Sequence, residues 1–190
     1  MGMQIEGLTP FEQEEALKKL VLRKKILELQ SKQKEDFLLF VRTVWPEFIA
    51  GNHHKIIAKK FEAIANKDIK RLIVNMPPRH TKSEFASFLF PAWMMGREPR
   101  LKIIQTSHTA ELAQRFGRKV RNLIDTQDYQ NVFPGMELSA DSKAAGRWET
   151  NAGGEYFSAG VGGAITGRGA DLLIIDDPHS EQDALSATAL

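Results

Sequence analysis

Arg71-Leu72-Ile73-Val74-Asn75-Met76-Pro77-Pro78-Arg79-His80-Thr81-Lys82-Ser83 is the stretch on which the fold turns. Its first six residues form a short apolar run of the kind a buried strand makes. Pro77 and Pro78 break that run, and from Glu84 to Met95 the apolar residues Phe85, Phe88, Leu89 and Trp93 return at helical spacing. A strand that becomes a helix through a loop ending in Lys-Ser is the setting of a phosphate-binding loop. Backbone N–H groups at the helix N-terminus face the anion, the lysine reaches the outer phosphates, and the hydroxyl holds Mg2+. Against the pattern G-x-x-x-x-G-K-[ST], however, Met76 and Thr81 stand where both glycines belong. On these residues alone, a nucleotide site and a strand–turn–helix with a chance Lys-Ser both remain open.

The flanking sequence supplies the rest of an α/β plan. Downstream, Leu101–Thr106 reads as a second strand and about 109–126 as a long helix. Arg147–Thr150 and Glu155–Ala159 read as a hairpin around Asn151-Ala152-Gly153-Gly154. A glycine-rich loop from Gly160 to Gly169 leads into the strand Asp171–Asp176. Upstream, Thr9-Pro10-Phe11-Glu12 starts a helix that runs to about Gln33: Thr9 caps, Pro10 takes the first helical position, and Glu12 completes a capping box. A second helix carries Phe37, Phe40, Val41 and Val44 and ends at Pro46; a third, from His54 to about Asn66, sets Ile57, Phe61 and Ile64 on one side. Strands alternating with helices predict a mostly parallel central sheet flanked by helices. We read residues 1–50 as an N-terminal helical segment and 51–190 as the main domain. There is no internal repeat.

Composition narrows the function classes. The chain has 190 residues, 42% of them hydrophobic and 26% charged, which is ordinary for a globular domain with its own core. It has no cysteine, which excludes disulfides, thiolate zinc sites and cysteine nucleophiles. No run of about 18 uncharged apolar residues occurs, so the sequence predicts no membrane span. The first residues lack the basic start and apolar stretch of a secretory signal, and the expected location is an interior aqueous compartment. Net charge is only +2, yet it is unevenly spread. Residues 18–34 carry seven Lys or Arg against Glu28, residues 97–121 carry seven against Glu98 and Glu111, and residues 171–183 carry five acids and no Lys or Arg. Such separation suits a basic track beside a cation or phosphate site, and equally suits solvated helix faces.

Asp176 and Asp177 are the second chemical signal. A loop that binds Mg-nucleotide needs a carboxylate at the end of a neighbouring buried strand to hold the metal, and a second acid beside it to polarise the attacking water. Asp176 and Asp177 follow Leu172–Ile175 in that order. The plainer reading of Asp-Asp-Pro is a strand-ending turn. Two such pieces about 95 residues apart, each at a strand terminus, favour the nucleotide site.

With these residues in place, the sequence resembles the ATPase region of tailed-phage large terminase subunits. The resemblance rests on RLIVNMPPRHTKS (71–83), ITGRGADLLIIDDP (165–178) and the intervening Trp148, Gly153-Gly154 and Gly160-Val161-Gly162-Gly163, and runs from about Phe37 to Asp183. It implies a P-loop NTPase of the additional-strand class, with ATP and Mg2+ as cofactors. The implied function is a motor that drives double-stranded DNA through a portal into a procapsid, with a small terminase subunit as a further partner. It also implies a homo-oligomeric ring for the full-length protein and a place in the host cytoplasm. Carried over by position, Pro77, Pro78, Arg79, His80, Thr81, Lys82 and Ser83 form the Walker A loop. Lys82 would contact the outer phosphates, Ser83 would ligate Mg2+, and Arg79 would sense or stabilise the γ-phosphate. Asp176 would be the Walker B metal carboxylate. Asp177 stands where many relatives have the catalytic Glu, one methylene shorter, with Glu181 as a substitute. Thr81 departs from the usual glycine. Arg168, between Gly167 and Gly169, would serve as an arginine finger across a ring interface, or is a surface arginine in a loop. Members of this family carry a nuclease domain and a coupling motif further on. The chain reaches Leu190 shortly after Asp177, so the resemblance predicts an N-terminal fragment that is incomplete at the C-terminus and has no nuclease activity.

Other residues rank lower. His53-His54 suggests a metal, but adjacent helical residues point apart and no third ligand is evident. Phe48 and His54 are candidate base contacts by the same resemblance, against core packing or helix capping. Trp45, Trp93 and Trp148 read as core. Arg115, Arg118, Lys119 and Arg121 could touch DNA phosphates but fit a solvated face. Two alternatives to the packaging motor stand: a helicase-like DNA translocase, and a non-hydrolysing module that binds nucleotide or DNA and docks partners.

Overall fold

The structure, a computed structural model, describes residues 9–144 and 146–180. The N-terminal helix α1, Pro10–Glu35, begins as its sequence dictates. The Thr9 hydroxyl accepts from the Glu12 N–H at 3.4 Å, and the Glu12 carboxylate accepts from the Thr9 N–H at 2.8 Å. Asp36 closes α1 and caps the next helix, α2 (Phe37–Val44), by accepting from the Leu39 N–H at 2.8 Å. Helix α3 follows at Asn52–Ala65.

Phe37 is fully buried where these helices meet the chain that follows the Lys-Ser loop. Its ring lies 5.4 Å from Phe61, 5.6 Å from Phe85 and 5.4 Å from Trp93, each in edge-on geometry. The helix after the loop is not uniform. Glu84–Leu89 is a π-helical stretch, in which the Phe90 N–H reaches back to the Phe85 carbonyl, and α4 continues it over Phe90–Arg97. The predicted helix over 84–95 is therefore present, but its first turns are widened.

Five strands form one sheet in the order β2-β3-β4-β1-β5. They are β1 (Lys102–Ser107), β2 (Leu138–Lys143), β3 (Arg147–Thr150), β4 (Glu155–Gly160) and β5 (Leu172–Ile175). Strand β1 pairs in parallel with both β4 and β5, whereas β2–β3 and β3–β4 are antiparallel. The sheet is thus mixed α/β, which corrects the expectation of a mostly parallel one. The tight turn at residues 151–154 forces β3 and β4 to run antiparallel, and β2 adds to that edge. Helix α5 (Ala110–Ile124) crosses behind β1 and β4, and the short α6 (Gln127–Val132) packs its Tyr129 hydroxyl onto the Ala92 carbonyl at 2.8 Å. Gly117 lets α5 approach β4 closely: a Cβ there would lie 2.7 Å from the Ser158 hydroxyl. The Trp148 indole, stacked on Tyr156, donates to the Gly117 carbonyl at 3.2 Å.

Residues 71–76, expected as the first strand, form no ladder among the described residues. The segment still has two faces. Leu72 and Val74 pack against the core while Ile73 is 86% exposed. An apolar run becomes a strand only where a neighbour offers backbone partners, and no described strand pairs with it.

Truncating Phe37 to Ala removes the ring shared by α2, α3 and α4. Denaturant titration is expected to show a loss of about 3–5 kcal/mol in unfolding free energy; a loss under about 1 kcal/mol would mean the aromatic cluster is not what holds these helices together.

Candidate functional site

Helix formation resumes at Lys82, where the Thr81 carbonyl accepts from the Phe85 N–H at 3.0 Å. The first-turn N–H groups of such a helix have no partner within it and point toward the loop. Ser83 enters this turn at φ −70°, so its hydroxyl stands at the same end. Arg79 and Thr81 adopt positive φ, at 64° and 61°. For a residue with a side chain this costs on the order of 1–2 kcal/mol, and Thr, branched at Cβ, fits it poorly. Thr81, where the phosphate-loop pattern has glycine, thus takes a backbone conformation that glycine adopts freely.

The two predicted signals meet in space. The Lys82 ammonium donates to the Asp177 carboxylate at 2.5 Å and lies 3.6 Å from that of Asp176, across 95 residues of sequence. Asp176 is buried at the end of β5, and its other oxygen accepts from the Ser87 hydroxyl at 2.8 Å. Its N–H donates to the Thr106 carbonyl at 2.9 Å, and the Asp177 carbonyl accepts from the His108 N–H at 3.2 Å, which fixes both residues to the end of β1. Asp177 takes φ 45° and leaves its side chain largely exposed. Burial works to lower the Lys82 pKa, but the Asp177 hydrogen bond and the charges of both aspartates outweigh it and hold the pKa above the ordinary lysine value. The lysine is therefore charged, half-buried and poised between a buried carboxylate and an exposed one.

Of the two readings of His54, base contact or helix capping and core packing, the geometry shows the second. Its Nδ1 accepts from the Gly51 N–H at 2.9 Å, which leaves the ring proton on Nε2; that nitrogen donates to the Thr81 hydroxyl at 2.5 Å. Thr81 donates in turn to the His80 carbonyl at 2.6 Å, and His80 Nδ1 donates to the Pro78 carbonyl at 2.9 Å. Phe48 is buried against His54 and Phe85, at 4.8 Å and 5.2 Å between ring centres. His53 does not point away from His54, contrary to expectation. At the start of α3 the His54 ring folds back to cap Gly51, and the two imidazoles lie 3.8 Å apart with His80 5.6 Å from His53. Among the described residues no group of three or more His, Asp or Glu is arranged to hold a metal ion.

Arg168 lies elsewhere. Its guanidinium sits 4.0 Å over the Phe157 ring and donates to Glu155 at 2.9 Å, an acid that Arg147 also engages at 2.9 Å. Glu155 pairs with Lys102 at the starting end of the parallel strands, whereas Asp176 and Asp177 follow their far end. Of the basic group on α5, Lys119 is tied to Glu84 at 2.5 Å and lies over Phe88, while Arg115 and Arg118 are exposed. Trp93 and Trp148 are fully buried, as expected of core, and Trp45 is half-buried beside Phe48. Glu181 lies outside the described residues. Sequence reasoning missed Ser87 and the His54–Thr81 link. The signal for Ser87 was a hydroxyl among the buried positions of an otherwise apolar helix.

No family model matches the chain. It is 29% identical over 147 residues to the large terminase subunit of Enterobacteria phage T3, a match that covers 76% of this chain and 25% of that protein. The chain thus spans about a quarter of the relative it matches, and the resemblance read from the sequence is borne out as a relationship to a terminase large subunit.

Burial, together with the neighbouring imidazoles of His53 and His80, holds the His54 pKa below the ordinary value of 6.5. The unfolded chain then binds more protons as pH falls through 6.5, so the stability this group contributes is full above that value and is lost below it. Urea titrations between about pH 5 and pH 8 are expected to show stability dropping on the acid side, and His54→Gln to flatten that drop. An identical profile in the variant would assign the acid sensitivity to another group.

Proposed function

We propose that this chain is the ATP-binding and ATP-hydrolysing region of a viral DNA-packaging motor, a terminase large subunit that couples hydrolysis to movement of double-stranded DNA into a procapsid. The observation that carries the reading is the Lys82–Asp176–Asp177 cluster, in a chain similar to a phage terminase. In this role residues 77–83 act as the phosphate-binding Walker A loop, and Asp176 as the Walker B carboxylate, of a P-loop NTPase.

The residues present suit Mg-ATP. A helix start with free N–H groups and a charged lysine meets a polyphosphate. A buried carboxylate with one oxygen accepting from a neutral hydroxyl and the other beside that lysine is an oxygen donor of the kind a divalent cation takes. Bound Mg-ATP supplies the γ-phosphoryl group that water attacks in line. Lys82 would exchange Asp177 for the outer phosphates, and Ser83 and Asp176 would hold Mg2+. Asp177, released from the lysine, is exposed enough to orient a water. Arg79, on the exposed loop, would stabilise the γ-phosphate. Arg168 is held at the opposite end of its own sheet, so its service as an arginine finger is to a neighbouring subunit in a ring. The portal, the procapsid and a small terminase subunit are the proposed partners, and the host cytoplasm the proposed location. No helix among the described residues is long and apolar enough to cross a membrane.

Calorimetry with Mg-ATP tests the reading. The native chain is expected to bind with a Kd in the micromolar range, and Lys82→Ala to weaken binding by about 10- to 100-fold. Asp177→Asn, which frees the lysine, is expected to keep or tighten binding while turnover falls. Folded protein that binds no nucleotide would overturn the motor and favour a docking module, and duplex unwinding would favour a helicase-like translocase.

A further inference from the structure

We infer that His54 is a positioning residue for the loop, holding Thr81 in the glycine-like conformation that opens the helix N-terminus to an anion. The inference rests on the nucleotide reading above for its ligand, though not for its geometry. Thr81 is the pivot of the loop, since its carbonyl starts the helix and its backbone turns at φ 61°. Glycine reaches that conformation freely; threonine needs something to hold it there. His54 is the group placed to do so.

The imidazole is itself rigid. It is buried, it caps Gly51 through Nδ1, and it is wedged between Phe48 and Phe85, the latter at 5.0 Å. One nitrogen is committed as an acceptor, so the other can only donate, and the acceptor in front of it is the Thr81 hydroxyl. That commitment fixes the direction of the hydroxyl's own proton, toward the His80 carbonyl. The Thr81 hydroxyl is thereby held both as acceptor and as donor, two bonds from the Cα whose φ it must hold. In a loop with glycine at this place the same histidine would have nothing to pin. A threonine in the glycine position and a buried histidine aimed at it form one device.

The test compares the native chain with His54→Ala, Thr81→Val, Thr81→Gly and the double variant His54→Ala/Thr81→Gly, all checked for folding by circular dichroism. Thr81→Val removes the hydroxyl and leaves the His54 packing in place. His54→Ala and Thr81→Val are each expected to weaken Mg-ATP binding about tenfold, because the competent loop becomes a minor state. The double variant, set against Thr81→Gly, is expected to recover most of the loss, since glycine needs no holder. Equal weakness in the double variant and in His54→Ala would overturn the inference and leave His54 a packing residue. Backbone NMR shifts of residue 81, taken without nucleotide, give an independent reading. Positive φ in the native chain and its loss in Thr81→Val and His54→Ala support the device, and unchanged φ in both refutes it. Should no protein bind ATP, the nucleotide reading fails while these shifts still decide the role of His54.

Discussion

The burial of Asp176 is the constraint from which the site follows. A carboxylate out of water is tolerated only with a counter-charge and hydrogen-bond donors at hand. Here Lys82 supplies the first and Ser87 the second, and both come from the same turns of helix after the loop. The end of β5 and the loop are therefore not independently placed. Docking the π-helical stretch on the sheet satisfies Asp176, and satisfying Asp176 sets Lys82 beside Asp177. Removing any one partner leaves a charge in an apolar surround, which makes this contact as much a folding element as a chemical one.

The apolar side of that helix explains why it can be held so firmly. Phe85, Leu89 and Trp93 are all buried, and Phe37 joins them to α2 and α3. The N-terminal helical segment is thus not an appendage in its second half: α2 closes the core under the site, and α3 delivers His54 to the loop from the same side. Helix α1 contributes much less. Its Leu17, Leu22 and Leu27 are each more than half exposed, and side-chain links to the rest come from its last turns, where Gln30 donates to the Asn131 carbonyl at 2.6 Å, Gln33 donates to the Thr43 hydroxyl at 2.8 Å, and the Trp93 indole donates to the Gln33 carbonyl at 3.0 Å.

How much of this was legible in the sequence depends on whether the signal was local. The cap of α1, Pro46, the strand around Ile103 and Ile104, the hairpin at 151–154 and the strand before Asp176 all rest on short-range chemistry, and they stand where read. Leu138–Lys143 was not legible, because Leu-Ser-Ala-Asp-Ser-Lys has no apolar alternation and is a strand only through its pairing with β3. Residues 71–76 failed in the opposite sense, with a strong local signal and no ladder to receive it. At the site, Lys82, Asp176 and Asp177 were legible as types at strand ends, whereas their contact was a tertiary fact. Ser87 and His54 were hidden for the same reason: a lone polar residue on a buried face says that a partner exists, not which one.

Backbone strain adds a last step. Four non-glycine residues among those described take positive φ: Lys67, Arg79, Thr81 and Asp177. Three of them lie on the two loops that meet at Lys82. Strained backbone persists only where its surroundings over-determine it. Asp177 is held by the lysine on its side chain and by the His108 N–H on its carbonyl, and Thr81 by His54. Alternation of left-handed and helical backbone along a loop turns successive N–H groups toward one side and makes a concave seat for an anion. Thr81 in the left-handed region, followed by the helical Lys82 and Ser83, has that character. On the proposed nucleotide reading, that loop would be shaped by the protein's own contacts before any anion arrives, and the energy that a flexible loop would spend on ordering at the moment of binding would already be met in folding.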